Sequence, residues 1–205
     1  MNCTPTLALV VVDLQRDFCP GGSLAVTDGD AVVPPLNRVV SAFARAGLPV
    51  LYTRDWHPED HCSFRDRGGP WPRHCVAGTP GAEFHPELII APGSTLVSKA
   101  TRPDAEAYSG FQGTELESQL RRTGVRDLVV GGLATDYCVK QTCLNGLKAG
   151  FSVNVMTDCV KGVELHRGDS DAALDEISSR GGAKITSTEA IEMCRRATMM
   201  SSSRP

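Results

Sequence analysis

The chain alternates short apolar runs with stretches of helical periodicity. Residues 7–13 (LALVVVD) are apolar at every position before the aspartate, which predicts a strand buried on both faces of a parallel sheet. Residues 31–46 space their apolar side chains as a helix does, and Pro34 and Pro35 fall in its first turn, where no backbone donor is lost. Gly47 ends that helix, and residues 48–54 form the second predicted strand.

The same alternation continues along the rest of the chain. It predicts a three-layer α/β/α fold, with a six-stranded, mainly parallel sheet covered by helices on both faces. We expect one domain over residues 1–205, in which the aperiodic stretch at about 55–92 is a functional loop insertion. The remaining predicted strands are 95–98, 127–131, 151–157 and 183–186, and the remaining helices are 114–122, 136–149, 170–179 and 188–196, with an irregular end from residue 199.

Composition narrows the class of protein. The 205 residues are 41% hydrophobic and 22% charged, as in ordinary globular proteins, and the formal charge of −3 gives no general attraction for nucleic acid or anionic membranes. No apolar run is long enough to span a bilayer, and residues 1–5 lack the basic and apolar regions of a signal peptide. We therefore expect a cytoplasmic protein, and a homo-oligomer is left open.

Eight cysteines are many for this length, but they form no CxxC pair and no compact framework. Most should be free thiols, with Cys143 and Cys159 as small core residues. Cys62 and Cys75 lie close to histidines along the chain and are weaker candidates for zinc ligands. The dispersed spacing disfavours a protein that stores metal or senses redox state.

Polar residues follow the predicted strands at the edge where α/β sheets bind ligands, beyond the carboxyl ends. Asp13 ends the first strand, Asp55 and His57 follow the second, Lys99 ends the third and Cys138 follows the fourth. Any one of them could simply be leaving the core, but together they indicate a site. Cys138 also begins a predicted helix, whose positive end favours the nucleophilic thiolate; a buried structural cysteine is the alternative.

Asp55 and His57 could bind a metal ion. They are two residues apart, so in an extended segment their side chains point the same way, and His74 could fold back as a third ligand. A carboxylate with imidazoles suits zinc, iron or manganese, with positions left for water or substrate. The alternative is a polar loop whose histidines form local hydrogen bonds, and spacing alone does not decide between the two.

Five segments carry a resemblance to a known family. They are 12–18 (VDLQRDF), 53–58 (TRDWHP), 71–79 (WPRHCVAGT), 108–111 (YSGF) and 132–139 (GLATDYCV). With them the chain resembles the nicotinamidases, also known as pyrazinamidases, within the isochorismatase-like cysteine hydrolases. The Asp/Lys/Cys set alone is typical of that wider superfamily, whereas the loop histidines and the Trp-Pro-x-His-Cys segment are typical of the nicotinamidase branch.

The resemblance implies a role for each residue of the reacting group. Cys138 would be the nucleophile, Asp13 would take the thiol proton and later pass a proton to departing ammonia, and Lys99 would orient the pair. The peptide bond between Leu133 and Ala134 would be cis. The backbone N–H groups of Ala134 and Cys138 would form the oxyanion hole.

The resemblance also implies a metal site and a ring pocket. Asp55, His57 and His74 would hold one divalent ion, for which Zn²⁺ is the first choice and iron or manganese the alternatives. His61 is a ligand in some relatives, but here we expect it to act behind the ligands or on a bound water, and Cys75 is not a ligand. The residues that match the ring pocket, of which Phe18 and Leu24 could equally be ordinary core, are Phe18, Leu24, Trp71, Tyr108, Ala134 and Tyr137.

The activity implied is hydrolysis of nicotinamide to nicotinate and ammonia through a thioester, in NAD salvage, with the pyridine nitrogen on the metal. The alternatives are an isochorismatase-like cysteine amidase acting on a different small amide, and a catalytically dead binding module, although no triad member is missing. Many relatives have glycine after Lys99, whereas this chain has Ala100-Thr101-Arg102-Pro103. The pocket rim before Tyr108 is therefore expected to differ.

Overall fold

The computed structural model describes residues 7–202, so the first six residues, including Cys3, and residues 203–205 lie outside the described part of the chain. The strands are β1 (Leu7–Val12), β2 (Val50–Asp55), β3 (Thr95–Lys99), β4 (Asp127–Leu133), β5 (Ser152–Lys161) and β6 (Ala183–Ile185). They form one sheet in the order β3-β2-β1-β4-β5-β6, and every strand pair is parallel. The predicted six-stranded sheet is confirmed.

Helices cover both faces of this sheet. They are α1 (Val33–Arg45), α2 (Leu116–Arg122), α3 (Lys140–Lys148), α4 (Asp169–Ser179) and α5 (Ser187–Ser202). Alternate residues of β1 belong to different cores: Leu9 and Val11 pack with residues of α1 and α5, whereas Val10 and Val12 pack with residues of α2, α3 and α4. The continuous apolar run of β1 is therefore explained by burial on two sides, as predicted.

Strands β4 and β5 are longer than the predictions 127–131 and 151–157. The glycines expected to end β4 instead let it continue, because Val11 and Val12 of β1 pair with Gly131 and Gly132. Gly132 has φ +126°, and a Cβ there would lie 2.0 Å from the carbonyl oxygen of Val12. Only glycine permits this close approach, which brings the carboxyl ends of β1 and β4 together.

The helix predictions need three corrections. The predicted helix 136–149 is a π-helical turn, Thr135–Val139, followed by α3, and the predicted helix 114–122 begins only at Leu116. The last helix continues to Ser202, so the irregular end predicted from residue 199 is wrong over 199–202. In contrast, Pro34 and Pro35 do lie in the first turn of α1.

The long loop between β2 and β3 contains only short 3₁₀ turns, Arg65–Arg67 and Pro80–Ala82. Isolated parallel bridges pair His57 with Val76 and Phe64 with Trp71, so the loop is tied to itself beside the carboxyl edge of the sheet. Within residues 7–202, no helix combines the length and apolar character needed to cross a bilayer.

Candidate active site

Asp13, Lys99 and Cys138 meet at the carboxyl edge of the sheet. Asp13 directly follows β1, Lys99 is the last residue of β3, and Cys138 lies in the π-helical turn after β4. All three side chains are buried. Lys99 Nζ lies 3.0 Å from Asp13 Oδ2 and 3.5 Å from Cys138 Sγ. The structure thus places in contact three residues that are far apart in sequence.

Burial dominates the electrostatics of the Cys138 thiol. It raises the pKa of Cys138 well above its usual value, Lys99 opposes that rise, and the carboxylates of Asp13 and Asp55 add to it. In the free protein, burial and two carboxylates outweigh the charge of Lys99, whereas the contribution of the helix start stays a prediction. Cys138 is held as a thiol that needs a base.

Asp13 is placed to be that base. Burial raises the pKa of Asp13, and this effect is opposed by the charge of Lys99 and by the hydroxyl of Thr53, which donates a hydrogen bond of 2.6 Å to Oδ1. Burial alone would lower the pKa of Lys99, but Asp13 and Asp55 raise it well above its usual value. The site therefore combines a permanent cation with a carboxyl group of increased basicity.

The turn that carries Cys138 is fixed by hydrogen bonds to the carbonyl of Ala134 and to the side chain of Asp136. The backbone N–H groups of Tyr137 and Val139 donate to the carbonyl of Ala134, at 3.1 and 3.0 Å. The buried carboxylate of Asp136 accepts two backbone N–H groups from the loop after β5, each at 2.9 Å. The peptide bond before Ala134 is cis, as the resemblance implied.

Asp55, His57 and His74 form a second buried cluster, in which one ligand atom of each lies within 4.8 Å of the others. Both ring nitrogens of His57 are buried without a hydrogen-bond partner among the described residues, although Nε2 lies 3.7 Å from Asp55 Oδ2. A buried imidazole without partners is unfavourable unless something else binds it. This donor set fits a divalent metal ion.

His74 is prepared to act as a ligand. Its Nδ1 lies 2.8 Å from the carbonyl oxygen of Pro72, and since a carbonyl only accepts, Nδ1 carries the proton and Nε2 keeps its lone pair. Burial lowers the pKa of His74, which favours the neutral imidazole that metals bind.

His61 is held differently. Its ring lies beside that of His57, with 4.2 Å between the centroids. Nε2 lies 3.2 Å from the carbonyl oxygen of Ala105 and Nδ1 lies 2.7 Å from the hydroxyl of Ser63. With Nε2–H donating and Nδ1 accepting, both nitrogens are occupied, which supports a place behind the ligands rather than among them.

Sequence reasoning missed two buried or half-buried residues that hold these clusters in place. The Gln15 amide donates to the carbonyl of Asp55 at 2.8 Å and accepts its N–H at 2.7 Å. Asp17 accepts the backbone N–H of Cys75 at 2.7 Å, next to His74. Both lie in the segment 12–18 that carries the family resemblance, which was the only signal pointing to them.

Aromatic side chains surround the two clusters. The indole N–H of Trp71 donates to the Tyr108 hydroxyl at 2.9 Å, and the ring of Tyr137 lies 5.0 Å from Trp71 and 5.6 Å from Tyr108 between centroids. Phe18 lies against His74 at 5.6 Å. Leu24 is half-buried and packs against the core that contains Phe18, so it is partly core, as the alternative interpretation held.

Comparison with known proteins agrees with this fold. The three-layer fold defines an isochorismatase-like α/β protein. Residues 7–190 match the Isochorismatase domain, and the chain belongs to that family. It is 39% identical over 203 residues to a nicotinamidase of Escherichia coli, a match that covers 89% of this chain and 95% of the relative.

Solved structures similar to this chain include proteins described as a pyrazinamidase and as a nicotinate complex. The pyrazinamidase of Pyrococcus horikoshii in complex with zinc is 50% identical, with a TM-score of 0.85, and the match covers 89% of this chain and 99% of that one. The protein PnC1 from L. infantum in complex with nicotinate is 35% identical, with a TM-score of 0.84, and the match covers 90% of this chain and 94% of that one.

Proposed function

We propose that the protein is a nicotinamidase, a cysteine amidohydrolase that converts nicotinamide and water to nicotinate and ammonia. The observation that carries this proposal is the contact between the two buried clusters, because Lys99 is bonded to both Asp13 and Asp55. Similarity to a nicotinamidase and to a structure containing nicotinate supports the substrate. That the product enters NAD salvage in the cytoplasm stays a prediction.

Asp55, His57 and His74 would hold the metal ion, and Zn²⁺ is the first choice because the similar pyrazinamidase binds zinc. When bound, the ion would supply an open position for the pyridine nitrogen, which anchors the ring and does not activate the attacking group. This cluster also speaks against the alternative of an amidase that works without metal on another small amide.

The protein's own residues would carry the reaction. Asp13 takes the proton of the Cys138 thiol as Sγ attacks the carboxamide carbon, and the backbone N–H groups of Ala134 and Cys138 receive the developing oxyanion. Asp13 then gives the proton to the amide nitrogen, the C–N bond breaks, and ammonia leaves a thioester on Cys138. A raised pKa suits Asp13 to both proton transfers.

Water completes the cycle. Asp13 takes a proton from the water that attacks the thioester carbon, the C–S bond breaks, and nicotinate forms while the proton returns to Cys138. Lys99 stays charged throughout and holds the carboxylate of Asp13 in place. Trp71, Tyr108 and Tyr137 would line the ring pocket, with Phe18 closing the side next to His74.

The test is ammonia release from nicotinamide by wild-type protein, Cys138→Ala and Cys143→Ala, with metal content determined on the same samples. Cys143 is a buried thiol in α3, one turn beyond the Cys138 turn, and serves as the matched control. We expect turnover by wild type and Cys143→Ala, none by Cys138→Ala, and one divalent ion in all three. Turnover by Cys138→Ala would contradict the mechanism, and no turnover by metal-loaded wild type would contradict the substrate.

A further inference from the structure

Glu106 brings an additional carboxylate beside His57 of the metal cluster and beside His61, which lies behind that cluster. One of its oxygens lies within 4.8 Å of ring nitrogens of both His57 and His61. The side chain is half-buried, and Oε1 accepts the backbone N–H of Ala107 at 2.9 Å. Glu106 lies three residues beyond the segment Ala100-Thr101-Arg102-Pro103, where the chain departs from many relatives, and the resemblance gave it no role.

The backbone on either side of Glu106 is fixed to His61 and to Lys99. The carbonyl of Ala105 accepts from the ring of His61 at 3.2 Å, and the carbonyl of Ala107 accepts from Lys99 Nζ at 3.0 Å. Glu106 stands between these two anchors, so its carboxylate does not depend on a free loop for its position. It also lines a cavity of about 170 Å³, which has room for several water molecules.

The charges of the site leave a need for such a group. Asp55 is the one acidic member of the Asp55/His57/His74 cluster, and its carboxylate also accepts a hydrogen bond from Lys99. A divalent ion there would face two imidazoles and one carboxylate that also accepts a hydrogen bond from an ammonium group.

No salt bridge of Glu106 occurs within the described residues 7–202. Arg102, the nearest arginine along the chain, makes two hydrogen bonds with Asp104 instead, at 2.9 and 3.1 Å. The negative charge of Glu106 therefore remains available to the cluster beside it.

We propose that Glu106 is an outer carboxylate of the metal site, which strengthens binding of the divalent ion at Asp55, His57 and His74 by placing negative charge beside His57. The inference rests on the metal site of the proposed function. It makes Glu106 a positioning residue for the ion rather than a catalytic residue, and it predicts an effect on metal affinity that does not require turnover.

The test is a competition for Zn²⁺ between metal-free protein and a chromophoric chelator of known affinity. Glu106→Gln keeps the size of the side chain and the acceptor for the Ala107 N–H, so only the charge is lost. We expect its affinity for Zn²⁺ to fall about tenfold, as outer-shell substitutions commonly do. Asp104→Asn removes the same charge two residues away at an exposed position and should bind within about twofold of wild type.

Each outcome decides the inference. Equal affinities of wild type and Glu106→Gln would overturn it, and so would equal losses in Glu106→Gln and Asp104→Asn, which would mean a general surface charge effect. A lower melting temperature of metal-free Glu106→Gln would assign the residue a structural role and also overturn it. Wild type that binds no Zn²⁺ would overturn the metal site as well, whereas wild type that binds Zn²⁺ but leaves nicotinamide intact would contradict only the proposed function.

Discussion

Lys99 donates a hydrogen bond of 2.5 Å to Oδ1 of Asp55, the carboxylate that also belongs to the candidate metal cluster. Burial alone would raise the pKa of Asp55, but Lys99 and His57 hold it well below its usual value. One carboxylate is thus shared between the group that would anchor the substrate ring and the group that would attack the amide. A substitution of Asp55 should therefore affect both the metal cluster and the acidity of Cys138.

Asp55→Asn should make the Cys138 thiol more acidic in metal-free protein. Asp55 contributes to the raised pKa of Cys138, so neutralising this carboxylate favours the thiolate. We expect the midpoint of the pH profile for alkylation of Cys138 by iodoacetamide to fall. Asp66→Asn, an exposed position in the same loop, should leave the midpoint unchanged. An unchanged or higher midpoint for Asp55→Asn would show that the carboxylate does not act on the sulfur.

Lys99→Met should destabilise the protein strongly near neutral pH. It leaves the buried carboxylates of Asp13 and Asp55 without their cation, at a cost of about 3–5 kcal/mol in the free energy of unfolding. The folded-state pKa of Asp13 is already raised and would rise further in Lys99→Met. The folded form of the variant therefore binds more protons than the unfolded chain. Its loss of stability relative to wild type should shrink as pH falls towards 5. Urea unfolding at pH 7 and pH 5 measures this. Lys140→Met, at a partly exposed position, should show neither effect.

Gln15→Met should lower both the stability of the protein and its affinity for Zn²⁺, because the Gln15 amide holds the backbone of Asp55 in place. Methionine has a similar volume but no polar atoms, so the backbone of Asp55 and the carbonyl of Ala82 lose their partners. We expect a loss of about 3 kcal/mol in the free energy of unfolding and a lower affinity for Zn²⁺. Gln141→Met on α3 should stay within about 0.5 kcal/mol of wild type. Full Zn²⁺ affinity in Gln15→Met would mean that Asp55 keeps its position without the clamp.

Trp71 and Tyr108 should act on the substrate as one unit, because the indole N–H donates to the hydroxyl. Trp71→Phe and Tyr108→Phe should each raise KM for nicotinamide about fivefold with little change in kcat, and the double variant should show no further rise. Tyr52→Phe removes a hydroxyl from the core and should leave KM unchanged. Additive effects of the two substitutions would indicate that the hydrogen bond does not order the pocket.

Part of this structure could be predicted from the sequence because it depends on local pattern. The unbroken apolar run of residues 7–12 predicts a strand buried on two faces, and β1 is such a strand. The extension of β4 could not be predicted, since the glycines that locally resemble a strand end are used for contact with Val12, over a hundred residues earlier. Which neighbour a glycine approaches depends on tertiary structure.

The candidate site divides in the same way. Strand ends place Asp13, Lys99 and Cys138 at one edge, and the topology of the sheet brings them together. The pKa of the Cys138 thiol depends on burial, which local sequence does not reveal, so helix position alone does not give the direction of its shift. Gln15 acts on residues 40 and 67 positions away through its amide, and no spacing rule predicts such contacts.

The close approach of β1 and β4 at Gly132 has a consequence for which substitutions can change specificity and which can change catalytic geometry. The distance between Asp13 and the Cys138 turn is set by the backbones of β1 and β4. These backbones are in contact at Gly132, where there is no room for a side chain. Trp71 and Tyr108, by contrast, stand on irregular segments outside the sheet. Substitutions in those segments can therefore change which amide is accepted while the spacing of base and sulfur stays as it is. Substrate specificity can therefore be engineered at Trp71 and Tyr108 without changing the spacing of Asp13 and Cys138.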